Sequence, residues 1–247
     1  MTEELFREGS GLLSCEATVL AVDEQGIVLD RTVFYPLGGG QAGDAGELVA
    51  SDGRRVSIVD TRKHKARAGA IAHVPAPGLP VALQAGDRVR AILDAPRRQA
   101  HMRFHTATHL LCALVPHPVD GCSITAAHAR LDFHTQEPLD KAALNEGLAR
   151  LVAAAHPVRH RWISEAELDA NPGLVRSMSV QPPRGLGRVR VIEIEGVDLQ
   201  PCGGTHVANT LEIGAVLVTR IEKKSAMTRR VVLGFAEERV GGAQFAE

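Results

Sequence analysis

Short runs of alternating hydrophobic and polar residues fill the first ~95 positions of the chain. Alternation of this kind is typical of β-strands with one buried face, and Gly, Pro, Asp and Ser separate the runs as turns do. Many short strands within so little chain predict a small β-barrel. The predicted strands cover residues 15–22, 26–30, 31–35, 46–50, 55–60, 69–74 and 89–93.

The pattern changes to longer elements after Asp94. Residues 98–115 contain no Gly or Pro and predict a helix, and residues 138–155 predict another, with leucines along one side. Ser164 and Glu167 form a capping box for a short helix over 165–171. The predicted strands of this half cover residues 122–125, 129–133, 157–163, 188–194, 215–224 and 229–236. We therefore predict the α+β class, with an N-terminal barrel over 1–95 and an α+β sandwich over 96–247.

One stretch of the N-terminal half, residues 34–46, breaks the strand pattern. It contains three consecutive glycines, Gly38 to Gly40, followed by Gln41. Glycine lets the backbone approach a ligand closely, and the amides could bind an anion or a sugar edge. A flexible hairpin tip explains the same residues.

The net charge of −1 over 247 residues excludes a global positive field, so any nucleic-acid surface must be a local patch. Two basic runs are candidates, although a solvated face explains each of them equally simply. They are Arg184, Arg188 and Arg190, and Arg220, Lys223, Lys224, Arg229 and Arg230.

Cysteine usage and the absence of long apolar runs indicate a reducing, cytoplasmic compartment. The four cysteines have no disulfide-like spacing, and we expect Cys15, Cys112 and Cys122 to be small buried hydrophobic residues. The polar N-terminus, MTEELFREGS, predicts no signal peptide, and no apolar run approaches ~18 residues, so we expect no membrane partner.

Two short motifs together predict a zinc site. His105 and His109 lie one helical turn apart, about 6 Å along the axis, so both imidazoles can reach one ion. Cys202 and His206 offer a thiolate and a third imidazole, separated by two glycines and a threonine. Each pair alone is weak evidence, but three nitrogens and one sulfur suit Zn²⁺. Thr106 occupies the position where zincin proteases need a glutamate, which excludes that class.

Three segments in this order, FYPLGGGQAGDAG, HTATHLL and DLQPCGGTHV, resemble the editing part of alanyl-tRNA synthetase and, even more, the freestanding AlaX editing proteins. The resemblance extends from about Cys15 to Ala236. It implies a barrel followed by a zinc-containing editing domain that hydrolyses, in trans, tRNA(Ala) mischarged with serine, with glycine as a further candidate. It also implies zinc ligands at His105, His109, Cys202 and His206.

The same resemblance suggests where the tRNA binds. Gly38, Gly39, Gly40 and Gln41 match an element linked to tRNA engagement. The basic residues Lys223, Lys224, Arg229 and Arg230 lie where the family has a Gly- and Lys-rich turn, although KKSAMTRR lacks glycine. The expected partner is tRNA(Ala), held at its acceptor stem and 3′ end.

Selectivity for serine requires a group that reads the substrate hydroxyl, because a site built to hydrogen-bond a hydroxyl rejects analogues that lack it. Thr106, Thr108, Ser123 and Thr125 are the candidates, and the resemblance favours Ser123 or Thr125. Either threonine of the helix could instead bond its own backbone. His101 could support the ligands, but we expect it to be exposed.

The role of the zinc stays open at this stage, because four protein ligands make a closed shell whereas catalytic zinc keeps an open position. A ligand could leave, the shell could expand, or the ion could position the substrate amino group. Two other functions compete with editing. One is a non-catalytic tRNA-binding module with structural zinc, and the other is a zinc hydrolase acting on a different ester or amide.

Overall fold

Six antiparallel strands of the N-terminal part close into a barrel. Around the barrel they follow the order Ser14–Asp23, Gly26–Leu29, Ile71–Pro75, Arg55–Lys63, Gly46–Ala50 and Arg88–Leu93. The computed structural model describes residues 1–9, 11–78, 80–178, 182, 185 and 187–236. The strands of this part are β1 Glu3–Glu4, β2 Ser14–Asp23, β3 Gly26–Leu29, β4 Arg31–Thr32, β5 Gly46–Ala50, β6 Arg55–Lys63, β7 Ile71–Pro75 and β8 Arg88–Leu93. Alternate residues of these strands, among them Val19, Leu29, Leu48 and Ile58, fill the barrel interior.

The prediction of a strand over 31–35 was wrong beyond its first two residues. Only Arg31 and Thr32 are in a strand, and they pair in parallel with β1, outside the barrel. Side chains take the amides that a strand ladder would use: the Thr32 Oγ1 accepts from Phe34 N at 3.0 Å, and an Asp44 carboxylate oxygen accepts from Tyr35 N at 2.7 Å. Local side-chain acceptors of this kind compete with sheet pairing.

The described residues of the second part form three α-helices and two further sheets, which confirms the α+β class. The helices are α1 Ala95–Leu114, α2 Lys141–Ala153 and α3 Glu165–Ala170. The remaining strands are β9 Val119–Ile124, β10 Ala129–His134, β11 Val158–Ser164, β12 Arg188–Ile194, β13 Asp198–Pro201, β14 Val216–Lys223 and β15 Thr228–Phe235. The four-stranded sheet has the order β14-β15-β10-β9, and the three-stranded sheet has the order β11-β12-β13.

Helix α1 begins three residues before the predicted start at 98. The Asp94 carboxylate caps the helix by accepting from Arg97 N at 3.0 Å, and Pro96 occupies the first turn, where its missing N–H costs nothing. Phe104, Leu110 and Leu111 of α1 are fully buried in one core with residues of β10 and β15. This packing fixes the helix across the sheet. None of the helices in the described ranges is long and apolar enough to cross a bilayer.

Strand β13 was not predicted from the sequence. It continues the three-stranded sheet by pairing with β12, with Val191 opposite Pro201. The chain leaves β13 at Pro201 and enters the loop that contains Cys202. The sheet register therefore determines where this cysteine lies relative to α1.

Candidate metal centre

Helix α1 and the loop after β13 bring the four predicted ligands together. His105, His109, Cys202 and His206 each offer one ligand atom, and these atoms lie within 4.8 Å of one another. The Cys202 Sγ lies 3.4 Å from His105 Nε2 and 3.3 Å from His206 Nε2. A tetrahedral zinc site with ordinary bond lengths would separate its sulfur and nitrogen ligands by about 3.5 Å. The four side chains therefore have the spacing of a metal site.

In each of the three histidines the Nδ1 atom has a hydrogen-bond partner, which leaves the Nε2 atom available to a common centre. These Nδ1 contacts are His105 to Gln41 Oε1 at 2.8 Å, His109 to Asp198 Oδ2 at 2.7 Å and His206 to Thr106 Oγ1 at 3.2 Å. Partners of this kind fix the tautomer and the ring orientation of metal-ligating histidines. Neither Gln41 nor Asp198 was predicted in this role, because each lies far in sequence from the histidine that it contacts.

The charges around Cys202 favour the thiolate, the form that binds metal. Burial would raise the pKa of this thiol, but the neighbouring His105 and His206 hold it well below its ordinary value. Burial lowers the pKa of His109, yet its bond to Asp198 and the contact with Cys202 outweigh this and raise the pKa to about 10. A soft thiolate with three imidazoles matches zinc and not the oxygen-binding cations.

Gly204 makes the close approach of the loop to α1 possible. A Cβ atom at this position would lie 2.1 Å from His105 Cε1 and 2.4 Å from His105 Nδ1. No other residue type fits there without moving a ligand. The loop is also held by Arg190, whose Nη1 donates to the carbonyl oxygens of Cys202 at 2.9 Å and Gly204 at 3.0 Å. Arg190 is thus a buried structural residue and not part of a solvated face.

The glycine-rich loop lies against the candidate metal centre and is not a free hairpin tip. Ala42 N donates to Ile124 O at 2.9 Å, and Ile124 N donates to Gly40 O at 2.8 Å, so the loop is attached to β9. The Gln41 side chain is fully buried, and its Nε2 donates to Thr205 Oγ1 at 3.0 Å. Gln41 was predicted to contact tRNA, but its buried side chain contacts Thr205, in the loop between Cys202 and His206. Gly39 is exposed and lines the adjoining cavity.

The four candidate hydroxyl readers occupy different environments. Thr106 is buried and donates to Met102 O at 2.9 Å, in addition to its contact with His206. Thr108 donates to His105 O at 2.7 Å and lines the cavity. Ser123 pairs with Arg130, and the Thr125 hydroxyl closes the β9–β10 turn by donating to His128 O at 2.9 Å. Neither Ser123 nor Thr125 lines the cavity.

The second basic run contains two structural arginines. Arg229 is buried and donates to carbonyl oxygens of the β14–β15 turn and to Gln136 O. Arg230 forms a two-bond pair with Asp132 at 2.7 and 2.8 Å. Lys223 and Lys224 are exposed, so the predicted contact with tRNA is sterically open to both side chains. Arg184 of the first run lies outside the described residues.

A cavity of about 780 Å³ adjoins the four ligands, and His105, His109 and Cys202 form part of its wall. Cys112 and Cys122, expected to be simple core residues, line it as well. Burial raises the pKa of both thiols to about 12, so they stay protonated and give an apolar wall. An enclosure of this size suits a small ligand or the end of a larger one.

His101 does not have the exposed position expected for it. It is fully buried near the start of α1, and its Nδ1 lies 3.7 Å from the Asp44 carboxylate. The same carboxylate pairs with the fully buried guanidinium of Arg98. These three residues join the barrel to α1 and are separate from the ligand cluster.

Comparison with protein-family models gives two matches within the chain. Residues 189–232 match the threonyl and alanyl tRNA synthetase second additional domain, and residues 11–97 match the class II (A) tRNA synthetases. The first match contains Cys202 and His206, and the second contains the glycine-rich loop.

Similar full-length proteins have related names. The alanyl-tRNA editing protein AlaX-M of Methanosarcina barkeri is 36% identical over 94% of this chain and 98% of its own length. The AlaX-M protein of Saccharolobus solfataricus is 31% identical over 94% of this chain and 98% of its own. The alanine–tRNA ligase of Metallosphaera sedula is 34% identical over 90% of this chain but only 25% of its own.

Proposed function

This chain belongs to the family of AlaX-M alanyl-tRNA editing proteins, and we propose that it hydrolyses the ester of tRNA(Ala) mischarged with serine. Glycine is the second candidate amino acid. The reaction would occur in trans, on tRNA released by the synthetase, in the cytoplasm. We assign residues 1–95 to a barrel domain and residues 96–247 to an editing domain.

The observation that carries this proposal is the convergence of three imidazoles and one thiolate beside a cavity of about 780 Å³, whose wall includes His105, His109 and Cys202. Three of the five contacts described above orient an imidazole ring through its Nδ1 atom, and the other two join the Cys202 Sγ to ring Nε2 atoms at this centre. Side chains whose orientation is fixed by such hydrogen bonds suit a site that must keep its geometry while a substrate enters and leaves.

The donor set fits Zn²⁺, and His105, His109, Cys202 and His206 would hold it. Bound there, zinc would supply a Lewis acid beside the ester group. Other residues of the chain hold these ligands in position. Gln41 and Asp198 orient two of the imidazoles, and Arg190 holds the cysteine loop.

Thr108 is the residue we assign to read the serine hydroxyl. It lines the cavity, and its donated bond to His105 O leaves the hydroxyl oxygen free to accept from a substrate. An alanyl ester has no hydroxyl to donate to the Thr108 oxygen, so it would bind less favourably and the correct product would be spared. Replacement by valine keeps the volume and removes the acceptor.

The test is release of the amino acid from Ser-tRNA(Ala), with Ala-tRNA(Ala) measured alongside, for the wild type and for His105→Ala. We expect the wild type to clear the seryl ester, to spare the alanyl ester and to contain one equivalent of zinc. His105→Ala should fold, lose zinc and lose activity by more than about 100-fold. Thr108→Val should keep zinc but lose its preference for the seryl ester.

A non-catalytic tRNA-binding module is the second candidate, since four protein ligands are typical of structural zinc. In that case neither ester would be hydrolysed although tRNA(Ala) still bound. Hydrolysis that uncharged tRNA(Ala) does not inhibit would instead indicate another ester as substrate.

A further inference from the structure

The chain has a single tryptophan, Trp162, and it is unusually placed. It lies on β11, an edge strand of the three-stranded sheet, and 41% of its surface is exposed. The Arg188 guanidinium lies over the indole ring, 4.5 Å from the ring centroid. The partly exposed indole and the guanidinium beside it offer a flat surface on which an aromatic ligand could stack.

Trp162 and Arg188 line the same cavity as the metal ligands. The sheet connects the two places: Trp162 is opposite Arg190 in the β11–β12 register, and Arg190 bonds the loop that contains Cys202. A molecule that enters the cavity can therefore touch the indole at one place and the ligands at another.

Basic side chains contribute to the cavity wall, and one of them, Arg7, forms an ion pair with Glu4. Arg7 and Arg190 line the cavity together with Arg188. Arg190 is 5% exposed, its Nη1 bonds go to neutral carbonyl oxygens, and its Nε has no acceptor among the described residues. The Arg190 Nε is therefore a donor that an anion in this cavity could use.

A flat stacking surface beside arginines is the combination that binds single-stranded nucleic acid. Bases stack on aromatic rings and on guanidinium planes, while arginines contact the phosphates. We propose that the Trp162–Arg188 pair stacks a base of the single-stranded tRNA 3′ end and that Arg7 and Arg190 face its phosphate. This inference rests on the proposed function, because the esterified ribose at that end must reach the metal ligands.

Binding can be measured without hydrolysis, since Trp162 is the only tryptophan and reports its own environment by fluorescence. The full chain is titrated with the trinucleotide 5′-CCA-3′ and with the same trinucleotide carrying an abasic 3′ residue. We expect saturable quenching by the first and much weaker quenching by the second. Arg188→Ala should weaken the interaction several-fold.

Arg161→Ala is the matched control. It removes the same charge from β11, next to Trp162, at a residue that does not line the cavity. We expect it to bind the trinucleotide like the wild type. Equal weakening by Arg161→Ala and Arg188→Ala would overturn the proposal in favour of general charge attraction.

Kinetics on Ser-tRNA(Ala) give the second readout. Trp162→Ala should raise KM about tenfold, the effect of losing one stacked base, with kcat changed less than twofold. Trp162→Phe should recover part of the loss, because it keeps a ring. Unchanged KM in Trp162→Ala would overturn the proposal.

The two measurements separate this inference from the proposed function. Quenching by the trinucleotide in a protein that hydrolyses no ester would support the stacking site and reject the editing activity. Hydrolysis by the wild type without any base-dependent quenching would support editing and reject the stacking site.

Discussion

Helix α1 contributes to two buried polar clusters that differ in what their polar atoms face. Near its start, Arg98 and His101 meet Asp44 of the barrel, and all three residues are almost fully buried. Further along, His105 and His109 meet Cys202 and His206. None of the first three residues lines the cavity of the metal cluster, whereas three of the four candidate ligands do.

The comparison shows that burial of charge does not by itself identify a functional site. In the first cluster the charges point at each other, since the Arg98 guanidinium bonds the Asp44 carboxylate and Val33 O. In the second, hydrogen bonds to the Nδ1 atoms turn the Nε2 atoms toward a common centre beside a cavity. The first cluster should therefore determine stability, and the second should determine metal binding.

The largest expected effect on stability is that of Asp44→Asn. It leaves the Arg98 charge buried without a counter-ion, which costs about 3–5 kcal/mol. Burial would raise the pKa of Asp44, but His101 and Arg98 hold it below its ordinary value. This contribution is thus present above the ordinary carboxyl pKa and is lost as the pH falls through the lowered one. Urea unfolding between pH 7 and pH 3 measures both predictions.

Folded Asp44→Asn protein should keep its zinc. Loss of metal at urea concentrations where the variant is still folded would contradict the separation of the two clusters.

The next largest effect is expected for Gln41→Ala, which removes the acceptor that orients His105. Loss of such a partner typically reduces metal affinity or activity by 10–100-fold. Chelator competition measures the affinity, and Leu37→Ala, an exposed residue of the same loop, is the control. Unchanged zinc affinity in Gln41→Ala would show that His105 does not need this contact.

The smallest effect is expected for Asp132→Asn, which breaks a carboxylate–arginine pair like that of Asp44 but near the surface. Such pairs contribute about 0.2–1 kcal/mol. The bond from Arg230 lowers the pKa of Asp132, so this small contribution is also lost as the pH falls through the lowered pKa. A loss as large as that of Asp44→Asn would mean that burial does not explain the difference between the pairs.

Much of the fold followed from local patterns. The barrel strands, the helices and the α+β class were predicted because alternation and helical spacing are properties of neighbouring residues. The error at residues 33–35 arose where Asp44, nine positions away from Tyr35, replaced a strand partner. The early start of α1 was missed although Asp94 and Pro96 are ordinary signals of a helix start.

The sequence by itself determined which residues could bind a metal, because His105 and His109 are one turn apart and the Cys202–His206 loop contains its own glycines. Only the tertiary structure decided what surrounds them. Gln41, Asp198 and Arg190 come from three separate segments, and Trp162 reaches the cavity through the register of β11 and β12. Contacts between distant segments depend on how sheets and helices pack, and no local pattern of residues encodes that packing.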